Sequence, residues 1–268
     1  MIKSFYLHAV SQAGIDPNDS VLVVCGGPYD KQVMELSGLK NVVISNVGYH
    51  DGVKEFAPFN WIYQDAENLT LADNSFDYVV VNAGLHHCAS PHRAMCEMLR
   101  VAKKGILVSE ASDNWFVRLS VALGFTSDFE SEPALLSGGT HGGYRNTELP
   151  NYIYRWTERE VEKAVRSYLP QWQHSVRYIY GYRIPTERFT MSTSTTKRLV
   201  VTLVSRLVWL LERVMPKQGN HFAFVVSKQG ELQPWLKDID GAIHVDLDWV
   251  AKNKKYNPKN YRKNPSPF

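Results

Sequence analysis

Residues 65–110 read DAENLTLADNSFDYVVVNAGLHHCASPHRAMCEMLRVAKKGILVSE. The two short apolar runs in this stretch, 78–81 and 106–108, are bounded by turn residues, as is typical of buried strands. Between them, apolar residues recur three or four positions apart, which predicts a helix. Strand, helix and strand joined by tight connections form a βαβ unit, so we expect a parallel sheet covered on both faces. Ligands of such sheets bind where the strands end, which points to residues 82–87 and 110–113.

Length and composition limit the class of protein. A chain of 268 residues can hold one full α/β domain with an insertion. The formal net charge of +3 gives no case for nucleic acid as a partner, and three cysteines without paired spacing argue against a disulfide scaffold. No apolar stretch has the length of a signal peptide core or approaches the ~18–20 residues of a membrane span. We therefore expect a cytoplasmic protein without a transmembrane segment.

The flanking sequence predicts further elements on both sides of the βαβ unit. Short apolar runs predict strands, and capped segments with helical spacing predict helices. The expected strands lie at 21–24, 41–46, 60–64, 172–182 and 219–226, and the expected helices at 5–13, 31–37, 157–168 and 197–215.

The central stretch resembles the middle of a class I S-adenosylmethionine-dependent methyltransferase. The matching features are the turn 65–69, the segment 74–77 leading into a strand, the pair His86-His87, and 99–101 before the next strand. The resemblance is strongest over residues 21–111. It implies a doubly wound, Rossmann-like α/β fold with a mostly parallel seven-stranded sheet whose last strand is inserted antiparallel. It also implies S-adenosylmethionine as the cofactor.

The resemblance implies cofactor contacts at the ends of the first four strands. The glycine turn after the first strand would pass under the amino-acid end of the cofactor, and the residue that ends the second strand would meet the ribose. The carboxylate of Asp65 would accept a hydrogen bond from the adenine amino group, and residues after the fourth strand would lie beneath the sulfonium. The expected cofactor-binding residues are Cys25, Gly26, Gly27, Asn46, Asp65, Ala66, Asn82 and Ala83.

The glycine turn departs from the family pattern. Val23 stands where an acidic residue is usual, and Cys25 and Tyr29 replace glycines. Asp30 offers a carboxylate from a displaced position. These departures keep a second interpretation open, in which the chain is a non-catalytic methyltransferase-like binding protein with a degenerate glycine loop.

Three histidines are candidate catalytic residues. Methylation of a hydroxyl calls for a base that titrates near neutral pH, and imidazole meets this requirement. His86 and His87 follow the fourth strand, while His141 lies in the glycine-rich stretch 127–152. Long segments of this kind inside a compact domain are typical of lids, and a disordered surface insertion is the alternative.

A metal site built from His86, His87, Cys88 and His92 is disfavoured. His92 lies past Pro91 at the start of a helix, and no second cluster of ligands follows in the sequence. We therefore expect no metal.

The predicted function is transfer of the methyl group of S-adenosylmethionine to a small molecule. An oxygen of a sugar or secondary metabolite is the preferred acceptor, because several histidines and tyrosines lie near the strand ends. Residues 1–230 are the expected methyltransferase domain, and 231–268 are a C-terminal extension with a basic tail. The helix at 197–215 is either a crossover helix with surface arginines or a basic amphipathic helix that touches a membrane.

Overall fold

The computed structural model of the chain describes residues 5–48, 53–183, 195–228 and 230–254. Its strands are β1 (Ser20–Val23), β2 (Asn41–Asn46), β3 (Asn60–Tyr63), β4 (Phe76–Asn82), β5 (Ala102–Ala111), β6 (Phe129–Glu130), β7 (Asn151–Tyr152), β8 (Ser175–Gly181), β9 (His221–Ser227), β10 (Leu236–Ile239) and β11 (Ala242–Val245). Its α-helices are α1 (Phe5–Gln12), α2 (Pro28–Leu36), α3 (Pro91–Val101), α4 (Trp115–Ala122), α5 (Glu132–Leu136), α6 (Glu158–Tyr168), α7 (Thr195–Val214) and α8 (Leu247–Lys254). Short 3-10 helices lie at Val53–Phe56, Leu85–His87, Tyr144–Asn146 and Pro216–Gln218.

Seven strands form one sheet in the order β3-β2-β1-β4-β5-β9-β8. The five strands from β3 to β5 pair in parallel. The last strand, β9, lies between β5 and β8 and is antiparallel to both. The expected mostly parallel sheet with an inserted antiparallel strand is confirmed.

Burial on both faces of the sheet explains why the central strands are apolar without alternation. Val79 and Val81 pack on one face with residues of α3 and α6. Val80 points to the other face and packs with residues of α1 and α2. Full burial of such a side chain stabilises the fold by roughly 1.5–3 kcal/mol relative to exposure. The sheet is therefore a rigid platform whose strand ends are fixed relative to one another.

The helix after β1 begins earlier than the sequence predicted. We expected it from Lys31, but α2 starts at Pro28, directly after the glycine turn. Proline has a fixed φ that suits the first turn of a helix, and it lacks the N–H that would have no partner there. The helix N-terminus therefore lies immediately beside the turn.

The segment 127–152 is folded over the edge of the sheet. Its strands β6 and β7 pair antiparallel, and α5 lies between them in the chain. The guanidinium of Arg155 pairs with the carboxylate of Asp128 at its base. The interpretation of this segment as a disordered insertion does not fit these contacts, while its role as a lid stays a prediction.

The C-terminal extension begins with a hairpin. Strands β10 and β11 pair antiparallel through Asp240 and Gly241, which both have positive φ angles as tight hairpin turns require. Helix α8 follows. Most of the predicted basic tail, residues 255–268, lies outside the described residues, as does most of the connection at 186–196.

Helix α7 confirms the helix expected at 197–215, but it does not test which surface that helix contacts. The side chains of Arg198 and Arg206 lie outside those described, so both interpretations of this helix stay open. Among the residues that the structure describes, no helix has both the length and the apolar character needed to cross a membrane.

We predict that Gly105→Ala destabilises the protein by about 1–3 kcal/mol, as is usual for overpacking. A Cβ at this position in β5 would collide with the carbonyl oxygen of Val226 in the paired strand β9. The midpoint of urea unfolding at unchanged slope measures the effect. Lys103→Ala, at an exposed position of the same strand, is the control and should change the midpoint little. Equal midpoints for the two variants would contradict the tight strand contact.

Candidate active site

The carboxylate of Glu110, near the end of β5, is fully buried and holds the turn that follows β4. Its Oε1 accepts hydrogen bonds from the backbone N–H groups of Gly84 (2.8 Å) and Leu85 (2.7 Å). Its Oε2 lies 2.7 Å from Nδ1 of His86. One side chain therefore joins two strand ends and orients a histidine.

The backbone of the turn is adapted to this contact. Ala83 has a left-handed conformation with φ of 49°, which turns the chain sharply at the end of β4. A Cβ on Gly84 would overlap the side chain of Cys25 in the loop after β1. Glycine is therefore required where the two loops touch.

The imidazole of His86 lies between two carboxylates. Besides its contact with Glu110, its Nε2 lies 3.2 Å from Oε2 of Glu130. Burial alone lowers the pKa of His86, but the charges and hydrogen bonds of Glu110 and Glu130 outweigh this effect and raise the pKa to about 10. His86 is therefore a cation at neutral pH unless another cation takes the place of its proton.

His87 lies beside His86, with 4.5 Å between the ring centroids. Its Nδ1 lies 3.3 Å from the carbonyl oxygen of Gly143, and because a carbonyl can only accept, Nδ1 carries a hydrogen. Its Nε2 lies 3.6 Å from Oε2 of Glu130. Burial and then the charge of His86 lower the pKa of His87, so its ring is predominantly neutral and presents the Nε2 lone pair towards Glu130.

The insert at 127–152 contacts this cluster from three positions. Glu130 comes from β6 and Gly143 from the glycine-rich stretch. The buried Asn151 of β7 donates a hydrogen bond of 3.4 Å to the carbonyl oxygen of His86. The insert therefore covers the histidine pair and is tied to it at three points.

The loop after β1 leaves room for a ligand above one glycine. Cys25 has a left-handed φ of 54°, and a Cβ on Gly26 would collide with Ile44 and Val23. A Cβ on Gly27, in contrast, would meet no protein atom within 4 Å. Gly27 directly precedes α2, so its open side is a cradle at a helix N-terminus.

Asp30 does not face this cradle. Its side chain is buried, and its Oδ2 accepts a hydrogen bond of 2.9 Å from the N–H of Gly27. Burial raises its pKa to about 6, with hydrogen bonds acting in the opposite direction. The displaced carboxylate therefore fixes the loop from beneath.

Asn46 is the last residue of β2, and Asp65 follows the end of β3. The amide of Asn46 is engaged by the backbone, since its Nδ2 donates to the carbonyl of Gly26 (3.1 Å) and its Oδ1 accepts from Val47 (2.7 Å). Oδ1 of Asp65 accepts from the N–H of Glu67 (2.9 Å). Its Oδ2 lies 4.0 Å from the guanidinium of Arg145, and its side chain is 37% exposed. Asp65 therefore keeps one oxygen accessible to a ligand.

The remaining predicted cofactor residues also lie at or near the ends of the parallel strands. Oδ1 of Asn82 accepts from the hydroxyl of Ser109 (3.0 Å), Ala83 forms the turn above it, and Ala66 is buried beside Asp65. Strands β3, β2, β1 and β4 are consecutive neighbours, so all eight predicted positions lie along one edge of the sheet. This continuous edge and the open cradle at Gly27 fit S-adenosylmethionine, although the role of each residue stays a prediction.

His141 is not brought to the histidine pair by any contact among the described residues. It is exposed, and its Nδ1 lies 2.8 Å from the hydroxyl of Thr140. His92 is also separate, because its Nε2 pairs with Glu160 at 3.1 Å. The sequence marked residues 110–113 as the site edge by the strand-end rule, but it held no signal for Glu130, which lies 44 positions from His86.

The known proteins that this chain resembles are methyltransferases. Residues 39–109 match a family described as "Methyltransferase domain". The chain is 29% identical over 109 residues to 2-phytyl-1,4-naphtoquinone methyltransferase of Synechocystis, covering 36% of this chain and 46% of that protein. It is 31% identical over 131 residues to the ubiquinone/menaquinone biosynthesis C-methyltransferase UbiE of Xanthomonas campestris, covering 42% and 52%. The chain therefore spans about half the length of these curated relatives.

A solved structure supports the fold over a longer range. It is a putative methyltransferase in complex with the Trm112 methyltransferase activator of Haloferax volcanii, with a TM-score of 0.52, 14% identity, and coverage of 82% of this chain and 87% of that one. At this identity the likeness concerns the fold alone. Together with the strand order, it shows that the chain has the Rossmann-like fold of class I S-adenosylmethionine-dependent methyltransferases, and the match over residues 39–109 agrees with the resemblance found in the sequence.

Proposed function

We propose that this protein transfers the methyl group of S-adenosylmethionine to a small molecule that carries an ionisable ring hydroxyl, such as a phenol or a quinol. The observation that carries the proposal is the buried cluster of His86, His87, Glu110 and Glu130 beside the edge where the cofactor residues lie. When bound, S-adenosylmethionine supplies a methyl group that is already activated on a sulfonium. The chain must then orient the acceptor, exclude water and stabilise the acceptor as its anion.

The cluster offers both a cation and a proton acceptor to such a hydroxyl. His86 carries a positive charge in a buried position, but the carboxylates of Glu110 and Glu130 offset that charge. The neutral ring of His87 is therefore the group available to accept the hydroxyl proton. Glu110 fixes the orientation of the His86 ring by its hydrogen bond to Nδ1 and cannot rotate away, because it also holds two backbone N–H groups. The general-base role predicted for one of His86, His87 and His141 stays a prediction.

The surface of the insert favours an apolar acceptor. Several of its large apolar side chains are exposed, as are those of the neighbouring helix α4: Trp115, Leu119, Phe129, Leu135, Leu136, Leu149 and Tyr152. Groups of exposed apolar side chains commonly mark ligand or interaction sites. The names of the curated relatives describe methylation of naphthoquinone and quinone compounds, which agrees with an aromatic acceptor.

An aromatic hydroxyl is compatible with methylation at either oxygen or carbon. The sequence favoured an oxygen acceptor on a sugar or secondary metabolite, whereas one of the relatives is named as a C-methyltransferase. Loss of the hydroxyl proton prepares either outcome, because a phenolate can react at oxygen or at a ring carbon. A sugar hydroxyl is far less acidic and calls for a stronger base.

The direct test is incubation of the protein with S-adenosylmethionine and a short-chain 1,4-naphthoquinol, a catechol or a monosaccharide. We expect a mass gain of one methylene group for an aromatic acceptor, with the position of the methyl group assigned by NMR. Methylation of the sugar alone would overturn the acceptor class. Cofactor binding without transfer to any acceptor would favour the non-catalytic binding protein, which the altered glycine turn leaves open.

Asp65→Asn should weaken binding of S-adenosylhomocysteine by about 1–3 kcal/mol, because the amide presents a donor where an acceptor for the adenine amino group is expected. The amide oxygen can still accept from the N–H of Glu67, so the turn and the fold should be retained. Calorimetry measures the affinity. Asp73→Asn, at an exposed carboxylate beside Arg100, is the control. Unchanged affinity in Asp65→Asn would mean that Asp65 serves only the turn.

His87→Gln should lower the turnover number by roughly 10²–10⁴ while the affinity for S-adenosylhomocysteine stays nearly unchanged. The reason is that the Nε2 atom of His87 faces Glu130 of the insert, where we propose that the methyl acceptor binds. Steady-state kinetics and calorimetry separate the two quantities. The same substitution at His141, which contacts only its own segment among the described residues, should have a much smaller effect. Normal turnover in His87→Gln would exclude a catalytic role for this ring.

A further inference from the structure

We propose that His86, His87 and Glu130 form a binding site for a divalent first-row transition metal ion, with both Nε2 atoms and a carboxylate oxygen as ligands. Each of the three residues offers one ligand atom, and these atoms lie within 4.8 Å of one another. Oε2 of Glu130 is 3.2 Å from Nε2 of His86 and 3.6 Å from Nε2 of His87. Metal–ligand distances of about 2.0–2.2 Å place neighbouring ligands roughly 3.0–3.6 Å apart. The separations between Glu130 and the two imidazoles already fall in this range.

The surroundings of both imidazoles match those of metal ligands. A metal-bound histidine usually donates its other ring N–H to a carboxylate or a backbone carbonyl, which fixes the ring and its tautomer. His86 has this contact with Glu110 at 2.7 Å, and His87 has it with the carbonyl oxygen of Gly143 at 3.3 Å. Both rings are thus held with Nε2 directed at the same carboxylate.

Lone pairs also converge on this point. With its hydrogen on Nδ1, His87 presents a lone pair at Nε2, and Glu130 presents another at Oε2. A metal ion would accept one lone pair from each of the three residues.

The ligand types select the class of metal. Two imidazoles with one carboxylate suit zinc, iron(II), manganese(II) and cobalt(II), whereas magnesium and calcium prefer oxygen ligands throughout. The carboxylates of Glu110 and Glu130 offset the charge of a dication. Three protein ligands also leave coordination positions open for water or an acceptor.

The role of the ion rests on the proposed function. A ring hydroxyl that coordinates an open position would lose its proton to water more readily, because the metal stabilises the resulting anion. The imidazoles would then act as ligands, and the metal would activate the acceptor. Metal binding itself can be measured without any acceptor.

The test uses the 268-residue protein, freed of metal with a chelator and titrated with zinc(II), manganese(II) and, for comparison, magnesium(II). We expect one transition-metal ion per chain by calorimetry and little affinity for magnesium. Cobalt(II) should give an absorption spectrum of a bound ion with nitrogen ligands. His87→Gln and Glu130→Gln should each weaken binding by roughly 10²-fold or more, and Glu110→Gln, through His86, by about 10–100-fold.

His92 and Glu160 provide matched controls, because they form a similar histidine–glutamate pair at 3.1 Å outside the cluster. His92→Gln and Glu160→Gln should leave the affinity for metal unchanged. Thermal unfolding and binding of S-adenosylhomocysteine verify that each variant is folded. The proposal is overturned if wild-type protein binds no transition metal, or if His87→Gln and Glu130→Gln bind it as tightly as the wild type. Metal binding without methyl transfer would support the site and count only against the proposed function.

Discussion

The buried carboxylate of Glu110 is the interaction on which the candidate site depends. A charge without partners inside a protein costs several kcal/mol, so Glu110 must be satisfied by groups that come to it. Those groups are two backbone N–H donors of the turn after β4 and the imidazole of His86. Glu110 belongs to β5, whose position is fixed by pairing with strands on both sides. Its hydrogen bonds therefore also fix the positions of His86 and of the turn after β4.

Two different parts of the chain form the two sides of the site. The predicted cofactor residues lie at the ends of parallel strands whose order is common to the family fold, whereas Glu130 and Gly143 come from the insert at 127–152. The insert is coupled to the strand ends through the histidine pair, since His86 contacts both Glu110 and Glu130. The predicted cofactor side and the proposed acceptor side are therefore held together through His86.

The fold was largely predictable from the sequence, and half of the site was not. Residues 78–81 predicted a buried strand because side chains on both faces of the sheet must be apolar, and Val79 and Val80 do face opposite sides. Glu110 lay within a predicted site edge because strand ends are set by local pattern. Glu130 could not be found in this way, since its approach to His86 depends on how an insert without a periodic pattern folds back. The sequence offered Asp30 as a displaced carboxylate for the loop after β1, but its side chain is buried and accepts a hydrogen bond from the backbone of Gly27.

The account rests on the claim that this sheet edge still binds S-adenosylmethionine despite the altered glycine turn. Titration of the wild-type protein with S-adenosylhomocysteine in a calorimeter tests it most directly. The open cradle at Gly27 and the accessible oxygen of Asp65 predict saturable binding of one molecule per chain, with thermal stabilisation at saturating ligand. Neither heat nor thermal stabilisation at millimolar ligand would contradict the account.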